Sequence, residues 1–182
     1  RSNASVAVSA PGILDLSAAY YPTLRLGGGS ATQTLSGNGT VRGSVVLGGN
    51  ARLQPGGADG VGILTVTNAV TLGGVITMEL NRANSPNSDG LAAASIVGGG
   101  TLVVTNLGPS DFTAGDTFQL FSKPVSGITL SGSLPPLPCA GLQWTNKLAV
   151  DGTLAVIGTP CVNLTPTNIT AVMADSATTH QE

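Results

Sequence analysis

Two cysteines, Cys139 and Cys161, are the residues whose type and spacing most directly permit chemistry in this chain. No CxxC pair and no nearby histidine accompanies them, which argues against a redox motif or a zinc site. A disulfide between them, expected of an exported chain, would close a loop and contribute about 3 kcal/mol in the chain-entropy picture. A pair of buried free thiols is the other reading the residues leave open. The sole histidine, His180, stands in a polar stretch and reads as solvent-facing. Without a second histidine, neither a Ser-His-Asp nor a Cys-His arrangement is expected, and zinc has too few ligands.

Asp111 and Asp116 bracket a Thr-Ala-Gly turn just before an apolar run. Paired catalytic carboxylates or calcium ligands are conceivable there, but Asp in that setting supplies turn hydrogen bonds. The stretch GGADGVGIL is superficially similar to a calcium-binding glycine-rich repeat, yet Asp59 falls out of its register. Gly27 to Gly29 and Gly98 to Gly100 lack the Lys-Ser/Thr ending of a phosphate loop. Arg25, Arg42 and Arg52 lie in strand-like runs and read as a solvated ladder, with an anion or glycan contact as the sharper alternative. Trp144 and the three Phe read as core rather than as a sugar platform. No catalytic, cofactor or metal site is therefore expected. The sequons at Asn3, Asn38, Asn163 and Asn168 are assigned no sugar.

The elements that would position these residues are short strands. Of 182 residues, 26 are Gly, 41% are hydrophobic and only 9% are charged, the reverse of a disordered composition. All three Phe and the Trp lie between positions 112 and 144, so the first hundred residues must pack through Val, Leu, Ile and Ala. From residue 35 onward, runs such as TVRG, SVVL, ILTVTN, VITMEL and TLVVTN are rich in β-branched residues and bounded by Gly, Asn or Asp. No helical period intervenes. NRANSPNSDG, residues 81 to 90, is polar and predicts a loop projecting from a corner. A net charge of −2 offers nothing to a nucleic-acid backbone, and no apolar run suits a membrane helix.

Short strands that cannot make a sheet alone suffice when each pairs with levels above and below, so the pattern predicts an all-β parallel solenoid. A β-sandwich or jelly roll is the alternative. Thr-Asn pairs ending at Asn68, Asn106, Asn146 and Asn168 are separated by 38, 40 and 22 residues, suggesting coils of about 20 residues. Seven or eight such coils would build a rod on the order of 35 Å long. The expected organisation is solenoid coils over 1–110, terminal coils and an aromatic cap over 111–160, and a tail over 161–182. The opening RSNASVAVSAPG reads as a cut start with an uncovered first coil.

The order LSGNGTVRGSVVLGGNARLQPGG, GILTVTN, VITMELN, GGTLVVTNL, AGDTFQLF, GLQWTN and GTLAVI resembles the autotransporter-associated β-strand repeat proteins over roughly residues 35 to 157. The resemblance implies a right-handed parallel β-helix, exported by a bacterium to the cell surface or beyond, acting as passenger, stalk or adhesin. The expected function is non-enzymatic and structural or adhesive, with partners among copies of itself or neighbouring surface proteins. A glycan-binding or glycan-cleaving β-helix is the alternative. One run, Asn168, Ile169, Thr170, Ala171, Val172 and Met173, reads as an extra strand that a neighbouring copy accepts, generating a filament.

Overall fold

The computed structural model describes residues 4–57 and 60–161. Every regular element within them is a strand, and the strands stack as a β-solenoid of about five turns. The first turn carries β1 (Ala4–Ala7), β2 (Ile13–Asp15) and β3 (Thr23–Leu26), and the second β4 (Gln33–Gly37), β5 (Thr40–Arg42) and β6 (Ser44–Leu47). In later turns the last two strands fuse. β7 (Ala51–Pro55) is followed by the nine-residue β8 (Ile63–Thr71), and β9 (Val75–Leu80) by the eight-residue β10 (Gly90–Val97). β8 pairs β5 through Thr65 and Val66 and β6 through Val70 and Thr71, bending between at Thr67 and Asn68.

One sheet runs β1-β4-β7-β9, then β11 (Thr101–Asn106) and β13 (Thr129–Leu130); a second runs β2-β5-β8-β6-β3 with β10 on β8. Every strand pairing in these two sheets is parallel, so the solenoid and not the sandwich is the architecture. Its cause lies in the register. Val6, Leu35, Leu53, Ile76, Leu102 and Leu130 are successive partners, giving one aliphatic ladder up the first sheet. Leu14, Val41 and Val66 form a second ladder, and Leu24, Val45 and Val70 a third. Within each, the middle members are fully buried because the next level covers them. Burying apolar area at ~25 cal/mol per Å² is thus achieved between turns, not within one.

Most turns are longer than the sequence suggested. Ala4 pairs Gln33, Gln33 pairs Ala51, Arg52 pairs Val75, Val75 pairs Thr101 and Thr101 pairs Thr129, giving steps of 29, 18, 23, 26 and 28 residues. The expectation of seven or eight coils of about 20 is corrected to about five. The Thr-Asn marker misled because it occupies unlike places. Asn68 sits at the bend inside β8, Asn106 ends β11, and Asn146 lies in an antiparallel strand of the cap. What recurs from turn to turn is glycine at the corner. Gly74 and Gly100 both have positive φ, at 67° and 76°, and a Cβ on either would run into the backbone of the preceding turn.

Beyond β11 the arrangement changes. β12 (Thr117–Gln119), β15 (Thr153–Gly158) and β14 (Leu142–Lys147) form an antiparallel sheet in that spatial order. Phe112, Phe118 and Trp144 meet with ring centroids 5.1 to 5.9 Å apart, and the Trp144 Nε1–H donates to the Pro135 carbonyl at 2.8 Å. Phe121 continues the solenoid by a parallel bridge to Leu91, and the Gly152 carbonyl accepts the Leu120 and Phe121 N–H groups from the next level.

Candidate functional site

The densest set of polar side chains gathers where the segment between β9 and β10 meets the turn after β7 and the start of the cap. After β9 the chain reverses through a Leu80–Ser88 bridge, and the Asp89 N–H donates to the Glu79 carbonyl at 2.7 Å. This brings the Asp89 side chain inward. The residue is 1% exposed, and its carboxylate accepts the Gly62 N–H on one oxygen and the Glu79 N–H on the other, both at 2.9 Å. Gly56 lies against the same carboxylate, where any Cβ would collide with it. Burial pushes the Asp89 carboxyl up to about 7, with the nearby Glu79 charge adding to the rise and the two backbone donors opposing it. Glu79 is itself buried. The arrangement pins one turn of the solenoid to the next, and both carboxylate oxygens are aimed at backbone rather than at solvent.

Outside this buried knot the same segment lies against the cap instead of projecting freely, as the sequence had suggested. The Arg82 Nε–H donates to Asp116 at 2.7 Å and its Nη2–H to the Thr113 hydroxyl at 2.9 Å. The Asn87 amide donates to the Thr117 carbonyl. Asp116 also accepts the Thr113 N–H, so it performs the expected turn role and adds an ion pair. Asp111 is exposed. A small cleft of about 120 Å³ opens beside Pro86, Ser88, Leu91 and Ile63, with mostly apolar walls. Among the described residues no group of three or more His, Cys, Asp or Glu is placed to hold a metal ion.

The cysteine pair is joined: Cys139 and Cys161 form a disulfide with their Cα atoms 5.8 Å apart. It ties the Pro-rich loop before β14 to the segment after β15. The three arginines are not gathered. Arg42 faces Asp15 across β5 and β2 at 3.2 Å, Arg25 has Val46 as its register partner, and Arg52 has Thr34 and Val75. The Asp15 carboxyl is held below its usual value by the Ser17 hydroxyl and N–H, then by Arg42. Gly27 is a turn corner whose N–H donates to the Gln33 side chain, not a phosphate cradle. Asn38 accepts the Ala10 N–H through its side chain. Tyr20 and Tyr21 are 90% and 77% exposed and meet edge to face at 89°, so they do not form a flat stacking platform. Asn3, Asp59, Asn163, His180 and the run Asn168 to Met173 lie outside the described residues.

Sequence reasoning missed Asp89 and Glu79. The only signals were an acid inside the apolar run VITMEL and an Asp-Gly step closing a polar segment, and both read equally well as surface features.

No family model matches the chain, and no curated protein and no solved structure matches it.

Proposed function

We propose that this chain is an exported structural or adhesive module, a stalk or fibre unit whose contribution is a stiff shape and a long contact surface. The observation that carries the reading is the construction of its stacked turns and of the antiparallel unit that follows them. Aliphatic ladders make each turn depend on its neighbour, and an aromatic cap locked by Cys139–Cys161 stiffens one end. A disulfide suits the oxidising compartments outside the cytosol. The buried acids support this reading too, because Asp89 spends its hydrogen bonds on backbone. The likeness to autotransporter-associated repeats points the same way and adds a bacterial surface as the site of action.

The test is to recover the protein from its producing cells with thiols trapped at once, to locate it by surface labelling, and to assay it on a glycan array and for reducing-end release. An oxidised Cys139–Cys161 pair, surface label and no sugar turnover are the expected results. Release of sugar ends from any polysaccharide overturns the non-enzymatic reading, and a fully reduced pair overturns export.

A further inference from the structure

Among the described residues two ion pairs form, Arg42 with Asp15 and Arg82 with Asp116. Arg52 is in neither. It stands near the start of β7 in the middle of the stack, with Thr34 of the second turn and Val75 of the fourth as its register partners. Its neighbour Leu53 points into the core, so Arg52 points out and is exposed. Among the described residues its guanidinium has no hydrogen-bond or ion-pair partner.

The face around it is neutral. Side chains alternate along a strand, so those on the same side of the sheet are Thr34 and Ser36 on β4, Gln54 on β7, and Val75 and Thr77 on β9. Glu79 follows in that alternation. It is buried, however, and lies four residues along β9 from Val75, roughly 13 Å. The cation therefore meets hydroxyl, amide and methyl groups and no neighbouring acid.

Arg52 also borders a hollow of about 150 Å³ in the company of Thr32, Gly49, Asn50, Ala51 and Val75. A Cβ on Gly49 would meet nothing within 4 Å, so the hollow is open over that corner. Two further donors there are uncommitted. Neither the Thr32 hydroxyl nor the Gly49 N–H has a partner among the described residues, whereas the Asn50 amide is spent on the Gly29 carbonyl at 2.6 Å. Ala51 and Val75 add apolar wall.

A guanidinium fork matches the two oxygens of a carboxylate. The free hydroxyl and N–H beside it are left for hydroxyl groups, and the apolar wall for the C–H face of a ring. A lone carboxylate would engage Arg52 and leave the rest idle; a carboxylated sugar uses all of them. We infer that Arg52, with Thr32 and Gly49, binds a uronic-acid residue of an acidic polysaccharide. This rests on the adhesive side of the proposed function and gives that contact surface its ligand.

Amide-resolved NMR of the full chain, titrated with sodium glucuronate at low ionic strength against matched sodium chloride, tests it. Saturable shifts gathered at residues 32, 49–52 and 75 are expected. The methyl ester of glucuronate has the same ring without the charge, and it is expected to bind about tenfold more weakly. Arg52→Gln should weaken glucuronate by about the same factor, and the unshifted remainder of its spectrum will show that the fold is kept. Thr32→Val keeps the cation and loses the hydroxyl; it should weaken glucuronate by about threefold and leave acetate binding unchanged.

Absence of saturable shifts at these residues overturns the inference. So does an Arg52→Gln chain that binds like the wild type, or a methyl ester that binds as well as the acid. Acetate binding as tightly as glucuronate overturns it too, because the site would then read a carboxylate and no sugar. None of these results bears on sugar release or surface location, which test the underlying reading separately.

Discussion

The solenoid turns and the cap solve one problem, burying apolar side chains from short strands, in opposite ways. In the turns, each level is nearly interchangeable with the next: parallel strands, aliphatic ladders and glycine corners. Such a scheme leaves an end wherever it stops. The cap abandons the repeat, reverses to antiparallel pairing, fills its interior with Phe112, Phe118 and Trp144, and closes itself with a disulfide. A repeating stack is extensible and needs neighbours, whereas an end unit needs bulk that no further level will supply. The contrast between Val6, partly open, and Phe118, fully buried, is that difference at two residues.

The sharpest way to break the comparison is Phe118→Ala. Removing a fully buried aromatic from the cap should cost about 4 kcal/mol in denaturant unfolding. If the cap is a unit apart, amide exchange will rise first over 112–158 and later in β4 to β9. Uniform exchange would mean that cap and turns unfold as one.

The Asp89 knot offers a second test, on the solenoid side. Its carboxyl titrates near 7 when folded and near 3.8 when unfolded. Between those values the folded chain holds a proton that the unfolded chain has released, so this group's contribution to stability falls as pH rises from about 4 to about 7 and is level above. The decline should be on the order of 4 kcal/mol, read from urea midpoints at a series of pH values. In Asp89→Asn that part of the slope should vanish, and a decline that persists would show that Asp89 does not carry it; Asp15, whose carboxyl is held low, gives the opposite slope and only at acid pH.

Reduction of Cys139–Cys161 should have the smallest and most local effect, about 3 kcal/mol at most for this loop size. Its expected signature is faster exchange in β14 and β15, with the β4–β7–β9 core unmoved.

Much of this was legible in the chain. Gly-bounded β-branched runs at short intervals announced stacked strands, and the aromatic-rich stretch after Asp111 announced a region of different texture. The number of turns was not legible, because Thr-Asn marks a bend at Asn68, a strand end at Asn106 and a cap strand at Asn146. Local turn chemistry says that a chain bends, not which bend of the circuit it is. Asp89 was hidden for a related reason. In sequence it is a polar residue before a glycine, and its burial exists only because the segment folds back on β9 while the turn at Gly56 and Gly62 closes from the previous level.

The sequence by itself determined the class of structure, since alternation, β-branching and glycine spacing are local properties of backbone and side chain. It also determined that two cysteines were available to pair. Tertiary structure alone decided the register of each turn, the ends of the ladders and the burial of the acids. Those depend on which distant level a residue meets, and a parallel stack with turns of 18 to 29 residues lets that partner shift with every loop.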